Sequence, residues 1–236
     1  MSAGRLYLLP APLSEDTPPR DVVPAAVLER IRALDRFVVE NAKSARAWLA
    51  ACGHPKSMRE ISISELNEHT PAADVPALLE PILAGHDVGL LSEAGMPAVA
   101  DPGAALVAAA HASGVSVVPC VGPSSIVLAL AASGLDGQRF RFVGYLPADA
   151  TARRDALVEL EKRSARDKET QVFIETPYRN DAMLAEILKS CRPSTRLALA
   201  AELTSPREWV VMDTVSGWKR RAATIGKRPA IFLVAA

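Results

Sequence analysis

The chain has 236 residues, of which 49% are hydrophobic and 23% are charged, as in ordinary globular proteins. Its 27 basic and 27 acidic side chains cancel, and three isolated cysteines argue against a disulfide framework and favour a reducing compartment. Aromatic residues make up only 5%, which argues against reading nucleic acid mainly by base stacking, and no apolar stretch approaches a membrane span. We therefore expect a cytoplasmic protein with no membrane partner.

The charge is unevenly distributed along the chain. Residues 1–121 carry 9 basic and 14 acidic side chains, a net charge of −5. Residues 122–236 carry 18 and 13, a net charge of +5. A basic half indicates a polyanionic partner such as nucleic acid. Basic side chains that merely solvate the exposed faces of helices would account for the net charge of +5 equally well.

Strands and helices alternate in the first half of the chain. Short apolar runs predict buried parallel strands at Leu6–Leu9, Phe37–Glu40, Val88–Leu91 and Val115–Val118. Helical spacing of apolar residues predicts helices at Asp21–Leu34, Ser44–Cys52, Asp74–Leu83 and Gly103–Ala112. Asp101 is predicted to cap the last helix, with Pro102 at its first position, and Ser57 and Glu60 form a possible capping box. This alternation predicts an α/β domain whose mostly parallel sheet has helices on both faces.

The second half has a different pattern. After a helix near residues 124–133, polar and apolar residues alternate over Arg139–Tyr145, which is typical of a half-buried strand. Further segments predict helices at Thr151–Lys162 and Arg179–Lys189 and strands at Gln171–Glu175, Leu197–Ala201, Glu208–Asp213 and Ile231–Val234. A short turn joins the middle two of these last strands as a hairpin, which predicts a mixed or antiparallel sheet. The sequence thus predicts two α/β domains, 1–121 and 122–236.

Two turns rich in small residues follow apolar strands of the first half. Ser92-Glu93-Ala94-Gly95-Met96-Pro97 follows one strand, and Pro119-Cys120-Val121-Gly122-Pro123-Ser124-Ser125 follows another. In open α/β sheets, ligands bind beyond the carboxyl ends of the strands. Turns without bulky side chains present main-chain N–H and C=O groups there, so this pattern predicts a cradle for a small cofactor.

Several standard sites are absent from the sequence. It contains no G-x-G-x-x-G or Walker loop and no G-x-S-x-G elbow, and its four histidines are scattered. We therefore predict no metal site. A parallel-sheet hydrolase would require Ser124 to lie within hydrogen-bond reach of a histidine.

The cradle motifs resemble the tetrapyrrole (corrin/porphyrin) methylase superfamily, the class III S-adenosylmethionine-dependent methyltransferases. The similarity extends in order through Gly144-Tyr145-Leu146-Pro147, Phe173-Ile174-Glu175-Thr176-Pro177-Tyr178-Arg179 and Glu202-Leu203-Thr204. Together these motifs are most similar to the branch that methylates a ribose 2′-hydroxyl of small-subunit ribosomal RNA. The resemblance implies two α/β domains of tetrapyrrole-methylase type, S-adenosylmethionine in the cleft between them, and a homodimer.

The resemblance and the strand ends together assign candidate site residues. Cofactor contacts are expected from Ser92, Glu93, Ala94, Gly95, Met96, Pro97, Asp101, Pro119, Val121, Gly122, Gly144, Tyr145, Leu146, Glu175 and Leu203. Glu202 and Glu175 each end a predicted strand and are the candidate catalytic bases, although Glu175 is equally suited to a buried ion pair with Arg179. Substrate contacts are expected from Arg153, Arg154 and Arg179.

RNA is the expected acceptor, and two alternatives stay open. The turn Leu9-Pro10-Ala11-Pro12-Leu13 lacks the glycine usual in the RNA branch, and Glu40-Asn41-Ala42-Lys43 differs from the residues usual there after the second strand. A shorter paralogue that methylates a tetrapyrrole or another small molecule therefore stays open. The sequence also contains no unmistakable catalytic base. A protein that binds S-adenosylmethionine without turnover, as a sensor or assembly partner, fits that observation.

Overall fold

Two five-stranded sheets organise the chain. The computed structural model describes residues 2–221 and 223–236. One sheet belongs to a unit formed by Met1–Ser124 and the other to a unit formed by Ser125–Ala236. The boundary predicted from the sequence, after residue 121, lies a few residues before this division. No helix in the described ranges combines the length and the apolar character that crossing a membrane requires.

The sheet of the first unit is entirely parallel. Its strands are β1 (Arg5–Leu8), β2 (Arg36–Val39), β3 (Ser62–Glu65), β4 (Val88–Leu91) and β5 (Ser116–Pro119). They lie in the order β3-β2-β4-β1-β5, with every neighbouring pair parallel. The prediction of a parallel sheet is therefore confirmed, and the carboxyl ends of β4, β1 and β5 are adjacent at one edge.

Helices cover both faces of this sheet. They are α1 (Pro19–Val22), α2 (Ala25–Ala33), α3 (Ala42–Ala51), α4 (Val75–Leu83) and α5 (Ala104–Ala112). Successive residues of β1 point to opposite faces. Tyr7 packs in the apolar cluster that contains residues of α2 and α3, whereas Leu6 packs in the cluster formed with α4 and α5. The predicted two-sided arrangement is thus confirmed.

The second unit has a mixed sheet, as predicted. Its strands are β6 (Phe140–Tyr145), β7 (Thr170–Ile174), β8 (Arg196–Ala201), β9 (Trp209–Thr214) and β10 (Ala230–Ala235). The order is β6-β7-β10-β8-β9, in which only β6 and β7 pair in parallel. Because β10 runs opposite to both β7 and β8, the carboxyl ends of β6, β7 and β8 lie at the same edge.

Four helices pack on this second sheet: α6 (Ser125–Ser133), α7 (Ala150–Asp167), α8 (Asn180–Ser190) and α9 (Val215–Arg220). One core cluster joins α7, α8 and α9 to the sheet, and within it the rings of Phe173 and Phe232 stack with centroids 5.4 Å apart. The indole N–H of Trp218 donates to the carbonyl of Leu197 at 2.8 Å, which satisfies the polar atom of a buried ring. Helix α6 packs against β8, β9 and β10.

Two predicted helices begin or continue differently in the structure. The predicted helix Asp21–Leu34 is interrupted between α1 and α2, because Pro24 has no N–H group and forces extended backbone on the residue before it. The helix predicted to start at Gly103 begins at Ala104, with Gly103 itself as the N-cap at φ 127°. The prediction that Asp101 caps this helix and that Pro102 is its first residue is therefore wrong.

The Ser57–Glu60 segment forms one of the two hydrogen bonds of a capping box and does not start a helix. The main-chain N–H of Ser57 donates to Glu60 Oε2 at 2.9 Å, and the N–H of Arg59 donates to Ser57 Oγ at 3.3 Å. These bonds close a turn instead, and the chain then enters β3, which the sequence analysis did not predict. Helix α7 is also longer than predicted, since it continues to Asp167.

Candidate functional site

Three loops meet at the carboxyl edge of the first sheet. Between the loops after β1 and β4, the N–H of Ala11 donates to the carbonyl of Gly95 at 2.8 Å, and the N–H of Gly95 donates back at 3.2 Å. Gly95 has φ +73°, a conformation that favours glycine. The loop after β5 crosses the same region, because a Cβ built on Gly122 would lie 2.0 Å from Cβ of Pro10. The predicted cradle residues of this unit are thus brought together.

Three carboxylates lie around the loop that follows β4. Glu40 Oε2 accepts a hydrogen bond from the N–H of Glu93 at 3.0 Å, and Glu93 Oε1 accepts one from Ser44 Oγ at 3.1 Å. Burial, followed by the charge of Glu40, raises the pKa of Asp101 to about 6, against the lowering effect of a hydrogen bond from Ser92. Asp101 therefore belongs to an acidic cluster and not to a helix cap.

The other predicted residues of this loop region differ in their exposure. Ser92 and Pro97 are buried, Met96 is half-buried, and Ala94, Pro119 and Val121 are exposed. Groups of histidine, cysteine and carboxylate side chains suited to a metal ion are absent from the described part of the chain.

A cavity of about 470 Å³ opens beside this loop, within the first unit. Prolines of the segment after β1 and alanines of α3 form much of its wall, together with Trp48, whose indole N–H donates to the carbonyl of Pro10 at 3.2 Å. Its described lining residues include the carboxylates Glu15, Asp16 and Glu93 and no lysine or arginine. This cavity was not predicted from the sequence, because the prolines and alanines that form its wall carry no pattern typical of a binding site.

The edge of the second sheet carries the remaining candidates. At the end of β6, Gly144 adopts φ +72° and the pairing with β7 shifts between Phe142 and Tyr145. Such a bulge re-aims the side chain that follows it. Tyr145 is 59% exposed as a result, whereas Leu146 is buried in the core cluster of the unit.

Glu175 and Arg179 form a buried ion pair directly after β7. Glu175 Oε1 accepts hydrogen bonds from Arg179 Nε at 2.9 Å and from the N–H of Thr176 at 2.6 Å, and Arg179 Nη2 lies 2.6 Å from the same oxygen. Glu175 Oε2 is buried and has no hydrogen-bond partner among the described residues. The pair that the sequence left as an alternative is therefore present, and the second carboxylate oxygen of Glu175 is enclosed without a hydrogen bond from the described residues.

Glu202 lies in the turn after β8, at the same edge as Glu175. It adopts φ +51°, and its N–H donates to the carbonyl of Pro229 at 2.9 Å. Its carboxylate forms an ion pair with Arg207 at 3.0 Å. Leu203 beside it is buried. Since β10 separates β7 from β8, the two candidate bases end strands about 10 Å apart.

The basic candidates lie at the start of α7 and after β7. Arg154 is exposed, and Arg153 is half-buried with Nη1 donating to the carbonyl of Ala148 at 2.9 Å. The guanidinium of Arg179 is held by Glu175, so only part of it is available to a phosphate.

Comparison with known proteins identifies relatives of this chain. The family model for Tetrapyrrole (Corrin/Porphyrin) Methylases matches residues 19–217. A protein of Vibrio cholerae named ribosomal RNA small subunit methyltransferase I is 33% identical over 205 residues, which cover 87% of this chain and 67% of that protein. A Mycobacterium bovis protein of the same name is 35% identical over 221 residues, which cover 92% and 74%.

Solved structures share the fold. The crystal structure of the methyltransferase CobJ superimposes on this chain with a TM-score of 0.64. The superposition covers 99% of this chain and 94% of the CobJ chain. Its sequence identity is only 18%, so this likeness extends to the fold alone.

Proposed function

Because the chain belongs to the tetrapyrrole (corrin/porphyrin) methylases and is an S-adenosylmethionine-dependent methyltransferase, we propose that it methylates small-subunit ribosomal RNA. We propose a ribose 2′-hydroxyl as the acceptor atom. The observation that carries this proposal is the identity of 33–35% to proteins named ribosomal RNA small subunit methyltransferase I, over about nine-tenths of the chain. By contrast, the solved structure of the methyltransferase CobJ is only 18% identical, so it supports a shared fold and not a shared acceptor.

The first unit supplies groups that suit S-adenosylmethionine. This ligand carries a cationic sulfur and an ammonium group, and the cluster of Glu40, Glu93 and Asp101 offers negative charge to both. The turn at Gly95 and the loop at Gly122 bring main-chain groups close without side chains in between. We propose that these two loops contact the cofactor.

The cofactor supplies an electrophilic methyl group on sulfur. The chain has to align a weakly nucleophilic hydroxyl with that carbon, and well-aligned reactants reach effective molarities of about 10⁵–10⁸ M. Glu175 is the stronger of the two candidate bases for a positioning role, because Oε1 is engaged by Arg179 and Thr176 while Oε2 is left to accept a hydrogen bond. Glu202 is likewise paired with an arginine, Arg207, but the difference is that Glu175 has a buried oxygen without a hydrogen-bond partner among the described residues. Because the Glu175 side chain is buried, we propose that substrate binding exposes Oε2, which then orients the acceptor hydroxyl and accepts its proton.

The net positive charge of the second unit favours an RNA acceptor. The second unit contains the basic half of the chain, with a net charge of +5, and Arg154 is exposed at the start of α7. Arginines bind phosphates bidentately, and such contacts make binding weaken with salt. We further propose that the protein acts in the cytoplasm, where ribosomes are assembled, and that it forms a homodimer.

One observation favours a second class of acceptor. The cavity of about 470 Å³ in the first unit lies beside Ser92 and Glu93 and is rimmed by acidic instead of basic groups. Its size is that of a small-molecule site. The carboxylates Glu15, Asp16 and Glu93 would repel the acid side chains of a tetrapyrrole, so a neutral or cationic small molecule is the alternative acceptor that this cavity suits.

The experiment incubates the protein with methyl-labelled S-adenosylmethionine and small ribosomal subunits or their naked RNA. We expect label in the RNA, alkali-resistant linkage at the modified nucleotide, and binding that weakens as salt is raised. A matched variant, Glu175→Gln, should bind cofactor and lose most of the transfer. Transfer to a small-molecule pool with none to RNA would establish the second acceptor class. Tight cofactor binding without any transfer would favour a sensor.

A further inference from the structure

Tyr178 is the most exposed large hydrophobic side chain among the described residues, at 72%. By contrast, the rings of Phe173, Phe232 and Trp218 are buried in the core of the same unit. Isolated exposed apolar residues are ordinary on protein surfaces. The exposure of Tyr178 is therefore not by itself evidence of a functional role, and the residues around the ring have to supply it.

The ring of Tyr178 projects from a short helical turn and lies beside an arginine that a salt bridge holds in position. Tyr178 lies in a 3₁₀ turn, Pro177–Arg179, that directly follows β7, and the N–H of Arg179 donates to the carbonyl of Thr176 at 2.9 Å. The guanidinium carbon of Arg179 lies 5.7 Å from the centroid of the Tyr178 ring, within cation–π range. Because Glu175 fixes Arg179 through Nε and Nη2, the cation is held beside the ring in the absence of any ligand.

The surroundings of Tyr178 suit an RNA strand. Tyr145, which the bulge at Gly144 leaves 59% exposed, ends the neighbouring parallel strand at the same edge. Unpaired RNA bases stack on aromatic rings and on arginine planes, whereas the bases of a duplex offer no free face. The chain has few aromatic residues, so a small number of stacking contacts is all that this mode of binding can supply.

We infer that Tyr178, backed by Arg179, is a stacking platform for an unpaired base of the RNA acceptor. Tyr178 is thus a positioning residue, and it makes the protein select a single-stranded or looped RNA segment over a duplex. This inference rests on the proposed function, since it assigns a base contact within the proposed RNA acceptor. It goes beyond that function by naming the residue and the RNA conformation.

The test compares three variants with the wild type. Tyr178→Leu removes the aromatic face, Tyr178→Phe keeps it, and Phe140→Leu alters a ring that is 42% exposed at the opposite end of β6. The measurements are kcat and KM for transfer to small-subunit RNA, binding of single-stranded and duplex RNA of one sequence at fixed salt, and cofactor affinity by calorimetry.

We expect Tyr178→Leu to raise KM and weaken single-strand binding about tenfold, the size of one base–aromatic stack, with kcat and cofactor affinity little changed. The Phe variant and the Phe140→Leu control should behave as the wild type, and duplex RNA should bind weakly to all four proteins. An unchanged KM in Tyr178→Leu, alongside active wild type, would overturn the platform and leave the proposed function intact. Loss of self-association in that variant would also overturn it, because the ring would then belong to a contact between copies. Absence of transfer to RNA by the wild type would refute the proposed function itself, and the platform with it.

Discussion

Ala11 and Gly95 exchange two main-chain hydrogen bonds, of 2.8 and 3.2 Å, between the loops that follow β1 and β4. These two hydrogen bonds join loops that are far apart in sequence. The other main-chain groups of both loops lie near the carboxyl ends of β1 and β4. Pro10, next to Ala11, packs against the loop after β5 where Gly122 has no side chain. The three loops are therefore in contact with one another, and we expect a change in one to affect the others.

Gly122→Ala tests that coupling. A Cβ at this position would lie 2.0 Å from Cβ of Pro10, a ring that cannot turn away, so the loop has to move. Overpacking of this kind costs about 1–3 kcal/mol of stability, and we expect cofactor affinity to fall about tenfold or more. Calorimetry and chemical denaturation measure the two effects. Gly137→Ala is the control, because a Cβ there meets nothing within 4 Å; equal behaviour of the two variants would contradict the coupling.

The pKa of Asp101 predicts a pH dependence. Its folded-state pKa, about 6, lies above the ordinary value of 3.8 because of burial and the charge of Glu40. The folded protein therefore holds this proton more tightly than the unfolded chain does, and the contribution to stability falls as pH rises from about 4 to 6. In Asp101→Asn this fall should disappear, and the variant should be at least as stable as the wild type at pH 7. Denaturant titrations between pH 4 and 7.5 measure the difference, and parallel curves would contradict it.

The same carboxyl affects cofactor binding with the opposite sign. If Asp101 pairs with the cationic cofactor, affinity should rise with pH through about 6, as the carboxyl ionises. Asp101→Asn should bind more weakly at pH 7.5 and lose the rise. Calorimetry at several pH values separates this from the effect on folding. If cofactor affinity still rises with pH in Asp101→Asn, a titratable group other than Asp101 causes the rise.

The Glu175–Arg179 pair should show strong coupling. Glu175 is buried, so Arg179→Met leaves an uncompensated buried charge and should cost about 3 kcal/mol or more. The double variant Glu175→Gln/Arg179→Met should recover a large part of that loss, because it removes both charges. A double-mutant cycle of unfolding free energies measures the coupling. If the losses of unfolding free energy in the two single variants simply add up in the double variant, the two side chains are not coupled and the prediction is wrong.

The three cysteines should differ in their reactivity. Burial raises the pKa of Cys52 and Cys191 to about 12 each, and it also raises the pKa of the half-buried Cys120. Thiolate is the reactive form, so native protein at pH 8 should react slowly at Cys120 and hardly at all at the other two. Alkylation followed by peptide mass mapping measures each rate. Rapid labelling of Cys52 or Cys191 without denaturant would be inconsistent with their burial.

The sequence predicts the strands of both sheets well where they are fully buried. Val88–Leu91 is apolar throughout because both faces of β4 are covered, and it appears in the structure with the predicted bounds. β3 lies at the sheet edge and consists of Ser62-Ile63-Ser64-Glu65, so it lacks the apolar run that marks a buried strand. Its existence depends on pairing with β2, which a local pattern cannot reveal.

The candidate site is predictable only in part for a similar reason. Glycine and proline in the turns mark the loops, because glycine permits backbone conformations that other residues avoid, whereas proline fixes φ and lacks an N–H group. The contact of Glu40 with Glu93 and the raised pKa of Asp101 depend on which loops meet, and the helix cap predicted for Asp101 failed because Gly103 occupies that place. The cavity after β1 depends likewise on the packing of α3, and its wall residues carry no signal of their own.

The strand order of the first sheet has a consequence for the chain as it is synthesised. β1 is flanked by β4 and β5, which are translated long after it, and it makes no pairing with β2. Both edges of β1 stay unpaired until Leu91 of β4 has left the ribosome, and its second edge stays unpaired until Pro119 of β5 has followed. Unpaired strand edges are templates for aggregation. Nascent chains stalled before Pro119 has emerged should therefore bind chaperones more strongly than chains stalled once the whole first unit has emerged, in which β5 has paired with β1.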